Sequence, residues 1–152
     1  MSQDDFALRT QQIKSRLYRM AFMYLGSESM ALDALDEAIY KGFMSLKKLR
    51  QPEYFETWLT RILINVCKRT LKRQKREQPL ETIPDNMAEA HFDALPLKDA
   101  IRRLPQELRE VIVLRYFSDF TQAATAEILN IPQGTVVTRQ RRALQFLKLE
   151  LI

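Results

Sequence analysis

The sequence predicts an all-α protein, with an N-terminal bundle of three to four helices followed by a helix-turn-helix domain. Three observations lead there. Apolar residues make up 46% of the 152-residue chain and recur at steps of three and four, the period of a helix with one buried face. Glycine occurs only three times, which leaves almost no sheet to expect. The stretch Thr121–Arg142, TQAATAEILNIPQGTVVTRQRR, carries the residues of a two-helix corner.

The elements follow in order. A first helix shows Ile13, Leu17, Met20, Ala21 and Tyr24 on one face and ends at Gly26. Ser27 can cap a second helix, whose apolar stripe is Ala31, Leu35, Ala38, Ile39 and Leu46. Pro52 breaks the chain before a third helix bearing Phe55, Trp58, Leu59, Ile62 and Val66. Three amphipathic helices close a core only by packing together, so residues 1–76 form a bundle. Residues 77–97 carry five acids, no Lys or Arg, and Pro79, Pro84 and Pro96, which predicts an irregular linker. Residues 98–152 form the second domain. Net charge is +7 in the first domain and +3 in the second, so two basic units flank an acidic one.

Within the corner, Thr121 can cap the first helix through its hydroxyl. Ala126 permits close helix approach, and Leu129, Ile131 and Val136 fill the inside of the bend. Asn130 suits a left-handed turn residue, and Pro132 holds Ile131 extended before the second helix. The candidates on that helix for contact with DNA are Gln133, Thr135, Val137, Thr138, Arg139, Arg141 and Arg142. Arginine matches guanine edges and phosphates, which makes this the natural helix to enter a major groove. The competing reading is a polar helical hairpin in an ordinary all-α domain, which leaves the arginine cluster to coincidence.

A formal net charge of +5 and a pI near 9.5 favour an anionic partner. From Lys68 to Arg76, six of nine residues are basic, just after Tyr54, Phe55 and Trp58. Cations hold phosphates and aromatic rings stack on unpaired bases, so the pairing suggests opened or single-stranded DNA. Trp58, in step with Leu59 and Ile62, fits the core better than a stacking platform. Asp33, Asp36 and Glu37 make an acidic patch better suited to protein docking than to a metal, since no His or Cys lies near. His91 and Cys67 stand alone, without metal or triad partners, and no glycine-rich phosphate loop is present. No cofactor is therefore expected. One cysteine excludes an internal disulfide, and no apolar run nears the ~20 residues of a membrane span, so a soluble cytoplasmic protein is expected.

Taken together, these segments resemble the bacterial sigma factors of the extracytoplasmic-function type. DALDEAIYKGF, from Asp33 to Phe43, is similar to the family's polymerase-binding helix, and FETWLTRILINVCKR, from Phe55 to Arg69, to its promoter-melting helix. LPQELREVIVLRYFSDFT, from Leu104 to Thr121, and IPQGTVVTRQRRAL, from Ile131 to Leu144, resemble the family's lead-in and recognition helices. Arg69, Thr125, Asn130, Val137 and Gln140 depart from its usual residues, which bears on the promoter sequence rather than the fold. The resemblance implies a factor that binds RNA polymerase core and directs it to promoters involved in a stress response. The upstream element would be read as duplex by the second domain. The downstream element would be held as opened strand by Tyr54, Phe55, Asn65, Lys68, Arg69 and Lys72. Asp33, Asp36 and Glu37 would bind polymerase, the linker would enter its active-site channel, and an anti-sigma protein, often membrane-bound, would hold the factor inactive. The alternative is a stand-alone helix-turn-helix regulator, which would need a ligand pocket or a dimer helix. A metal-dependent nuclease built on the three acids is more distant.

Overall fold

The computed structural model describes residues 1–77 and 95–151, which form seven α-helices and no strand. Helix α1 (Gln3–Leu25) begins where the Ser2 hydroxyl accepts from the Asp5 amide at 3.0 Å. It ends at Gly26, whose φ of 75° is the left-handed conformation that glycine adopts without strain. Helix α2 (Glu28–Met44) is capped by Ser27, as expected, through the Met30 amide. Leu46, placed by the sequence on this helix, lies instead in a 3₁₀ turn (Leu46–Lys48), though it is still buried. A second 3₁₀ turn starting at Pro52 leads into α3 (Phe55–Glu77).

The first three helices pack on one another around Phe6, Leu17, Met20, Leu35, Leu59 and Leu63. Phe6 sits edge-on to both Phe43 and Phe55, at 5.8 and 5.7 Å between ring centroids. Such pairs contribute about 0.5–1.5 kcal/mol beyond the area they bury.

The body of the expected linker, residues 78–94, lies outside the described residues together with His91. Its two edges are helical, which corrects the expected boundaries. Glu77 ends α3, and Leu95–Leu97 open helix α4 (Leu95–Arg103). Pro96 is tolerated there because the amides of a first helical turn have no partner within the helix.

Helix α5 (Gln106–Ile112) continues into one turn of π-helix (Val113–Phe117), so the lead-in helix widens in its last turn. Helices α6 (Gln122–Leu129) and α7 (Gln133–Leu151) complete the corner. Val111, Ala126 and Val136 form a small apolar cluster beneath it.

The larger core is continuous between the two halves of the chain. Ala100, Ile101, Leu104, Ile112 and Leu114 join the cluster made by α1, α2 and α3. Arg109 fastens the joint. Its guanidinium donates to the carbonyls of Ile101 (3.3 Å), Leu104 (3.0 Å) and Arg102 at the end of α4. The same group stands 5.3 Å from the centroid of the fully buried Tyr24 ring on α1.

Candidate nucleic-acid interface

The corner forms as its residues dictate. Thr121 accepts from the Ala124 amide at 3.1 Å. Asn130 takes φ 58° and ψ 50°, the left-handed turn that directs the chain into α7. Pro132 occupies the cap position, its carbonyl accepting from Thr135 and Val136. Val136, Ala143 and Leu147 then bury one face of α7. Gln133, Thr138, Arg141 and Arg142 stand exposed on other sides, and Thr135, Val137 and Arg139 are half-buried. The helix therefore offers a polar, basic surface next to the turn. Arg139 is less exposed than Arg141 and Arg142.

A polar network foreseen in no detail sets the pose of α7. The Gln140 carbonyl oxygen accepts from Arg115 Nε (2.9 Å) and Gln122 Nε2 (3.3 Å), while its amide donates to the Tyr116 hydroxyl at 2.9 Å. Arg115 also donates to the Phe120 carbonyl at 2.7 Å. Gln140 thus joins α7 to the π-turn and to α6. The available signal was a polar residue four positions after Val136 and three before Ala143, within an otherwise apolar stripe.

On α3 the second half is basic, as the sequence suggests. Asn65, Arg69 and Lys72 are exposed and Lys68 is half-buried. Tyr54, in the preceding 3₁₀ turn, is 47% exposed and free to stack. Phe55 corrects the expectation of a strand contact. Its ring is 3% exposed, wedged between Phe6 and Trp58, and a base cannot reach it in this packing. Trp58 is half-buried against the core, in line with its spacing.

Two cations of the basic run on α3 are engaged. Arg69 meets Glu37 of α2 at 3.4 Å, and Lys68 meets Glu110 of α5 at 2.8 Å. Burial raises the Glu110 pKa, and the hydrogen bond from Lys68 opposes that rise. Nearby, Arg61 donates to the carbonyls of Glu127 (2.6 Å) and Ile128 (3.1 Å) at the end of α6, where the helix dipole favours a cation. Sequence reasoning missed Arg61, because carbonyl acceptors more than sixty residues away leave no local pattern. Between these contacts lies a recess of about 370 Å³, lined by Arg61, Asn65 and Lys68 on one side and Ile128, Leu129 and Asn130 on the other. The corner of the second half therefore faces the strand-contact candidates of the first.

On α2, Asp33 and Asp36 are exposed, with Leu32, Tyr40, Phe43 and Met44 exposed on the same helix. Glu37 is tied down. Lys41 at 3.1 Å, through its hydrogen bond, is the main cause holding the Glu37 carboxyl below its usual pKa, with Arg69 adding to it. Among the described residues, no group of three or more acids, histidines or cysteines is placed to hold a metal. Burial pushes the Cys67 thiol up to about 12, so it carries no thiolate near neutrality. No described helix is long and apolar enough to cross a membrane.

Comparison with known proteins agrees with this arrangement. Residues 10–77 match the family description "Sigma-70 region 2", and residues 100–149 match "Sigma-70, region 4". The chain is 33% identical to the RNA polymerase sigma factor SigV of Bacillus subtilis over 142 residues, covering 91% of this chain and 86% of the relative. It is 30% identical to the ECF RNA polymerase sigma-E factor of Haemophilus influenzae, covering 76% of this chain and 71% of that one. Among solved structures, it superposes on the sigma factor RpoE bound to the anti-sigma factor NepR from Bartonella quintana with a TM-score of 0.81. That match covers 97% of this chain and 96% of the other at 22% identity, and so speaks for the fold.

Proposed function

The chain belongs to the extracytoplasmic-function sigma factors, transcription initiation factors rather than catalysts, and on that premise we propose how its parts divide a promoter. Helix α7 reads the upstream element as duplex. Gln133, Thr138, Arg141 and Arg142 meet base edges and phosphates, with Thr135, Val137 and Arg139 along the margin of the contact. Tyr54, Asn65, Lys68, Arg69 and Lys72 hold the opened strand of the downstream element, with Tyr54 stacking and the cations on phosphates. Asp33 and Asp36, beside the exposed apolar residues of α2, dock on polymerase core, and Glu37 supports that face through Lys41. The acidic stretch 77–97 carries a charge suited to the polymerase's nucleic-acid channel.

The observation that carries this reading is the shared design of α7 and the second half of α3. Each buries one face and leaves basic side chains on another, on two supports that can address two stretches of one DNA. Because the corner of the second half faces Asn65 and Lys68, the units 1–76 and 98–152 separate when polymerase binds. The similar sigma factor RpoE is seen in complex with the anti-sigma factor NepR, and this factor is held inactive in the cytoplasm by a protein of that kind.

Capture of polymerase core by the tagged chain, followed by run-off transcription on promoter templates, tests the reading. Core retention and initiation dependent on an upstream element are expected. A chain that binds duplex DNA but neither retains core nor starts transcription would make it a stand-alone regulator.

A further inference from the structure

Gln140 borders the buried face of α7, four residues after Val136 and three before Ala143. Thr138 and Arg142, also four residues apart, project from the opposite side and are exposed. Both sides belong to one cylinder, so whatever fixes the rotation at one fixes it at the other.

Apolar contact alone leaves that rotation loose. Burial of Val136, Ala143 and Leu147 holds α7 against its neighbours, but the hydrophobic effect has no direction. A side-chain tip about 6 Å from the helix axis moves about 2 Å when the helix turns by ~20°. Recognition needs groups placed within about 0.5 Å and about 10–20° of the productive geometry, so a directional restraint is required.

The Gln140 carboxamide supplies one. Its oxygen accepts from Arg115 Nε at 2.9 Å and Gln122 Nε2 at 3.3 Å, and its amide donates to the Tyr116 hydroxyl at 2.9 Å. Arg115 Nε can only donate, which settles the end of the carboxamide that faces it. The support is itself held. Arg115 also donates to the Phe120 carbonyl at 2.7 Å, and the Phe120 amide donates to the Leu114 carbonyl at 3.0 Å. The Arg115 guanidinium stands 5.5 Å from the centroid of the Tyr116 ring. One side chain of α7 is thereby tied to α6, to the π-turn and, through Arg115, to the loop between them.

We propose that Gln140 is a positioning residue for promoter recognition: its carboxamide sets the rotation of α7, and with it which base edges Thr138, Arg141 and Arg142 reach. Gln140 needs no contact with DNA for this. The inference rests on the reading of α7 as the helix that meets the upstream element.

The test is selection of duplexes from a random-sequence pool by holoenzyme assembled from polymerase core and the full chain, with the recovered upstream elements sequenced. Gln140→Leu keeps the bulk of the side chain and removes all three bonds. Gln140→Glu keeps oxygens that accept from Arg115 and Gln122 and can accept from the Tyr116 hydroxyl. Tyr116→Phe removes one bond from a residue outside α7. With Gln140→Leu, preference over single-base variants should fall about tenfold, across several adjacent positions rather than at one. Gln140→Glu should restore most of it. Tyr116→Phe should cost about threefold alone and nothing further when added to Gln140→Leu. Melting temperature and retention of core are read alongside and should stay near those of the parent chain. If Gln140→Leu does not fold, Tyr116→Phe and Gln140→Glu decide, with the same expected results. An unchanged preference in the folded Gln140→Leu variant overturns the proposal and leaves the assignment of α7 standing. A loss confined to one base position makes Gln140 a direct contact, and additive losses in the double variant make Tyr116 one; either overturns it. A parent holoenzyme that enriches no upstream element removes the reading of α7, and the proposal with it.

Discussion

Replacing Lys68 by Met should cost far more than replacing Glu110 by Gln, although both remove the same ion pair. The two groups meet at 2.8 Å, with the lysine side chain 30% exposed and the glutamate 7%. Lys68→Met keeps most of the aliphatic stem but leaves a buried carboxylate without its cation, at a cost of about 3 kcal/mol near neutral pH. Glu110→Gln removes the charge that burial opposes and leaves an ammonium able to turn toward water, so about 1 kcal/mol or less is expected. The pH dependence gives a second handle. Burial raises the folded pKa of Glu110, so its favourable contribution is complete below the unfolded value and is lost as pH rises through the folded one. Without Lys68 that pKa rises further, and the deficit of the variant should shrink as the medium is acidified toward the unfolded carboxylate range. Urea denaturation of the full chain, at neutral and mildly acidic pH, measures both effects. Equal costs for the two substitutions, or a Lys68→Met deficit independent of pH, would refute the reasoning.

Three further outcomes are expected. Gly26→Ala should destabilise the chain by about 1–2 kcal/mol in thermal unfolding, because the left-handed turn disfavours a side chain and the added carbon meets Arg102 of the second half. Thr121→Ala should cost about 1 kcal/mol by removing the cap of α6, with Thr121→Ser restoring most of it. Asp36→Lys should leave the melting temperature nearly unchanged, since the residue is exposed, while sharply weakening core retention in a pull-down; native retention would move the docking face elsewhere.

The helices and their caps were legible because their causes are local. Gly26, Ser27, Thr121 and Asn130 each act on backbone groups within four residues, and the sequence spacing shows it. The buried stripe of α1 follows from periodicity in the same way. Phe55 was misjudged because a ring beside a basic run fits stacking and core equally well in sequence; only its placement between Phe6 and Trp58 decides. The joint between the halves was invisible for a related reason. Arg61, Lys68 and Arg109 meet carbonyls, a carboxylate and a ring supplied by other helices, and nothing near them in sequence announces those partners. The bonds of Arg115 to Phe120 and Gln140 at the π-turn are likewise a tertiary arrangement that no local spacing announces.

The division of labour between α7 and α3 is tested most directly by run-off transcription on two forms of one promoter, fully duplex and mismatched at the downstream element. Lys72→Ala alters the strand-contact surface without touching an ion pair described above, and Arg142→Ala alters the exposed face of α7. Arg142→Ala should lower output from both templates alike, by the ~1–3 kcal/mol of a lost base contact if it reads one. Lys72→Ala should lower output from the duplex more than from the pre-opened template, because its contribution lies in capturing the strand as it opens. Equal losses from both templates with Lys72→Ala would contradict the assignment of α3 to promoter opening.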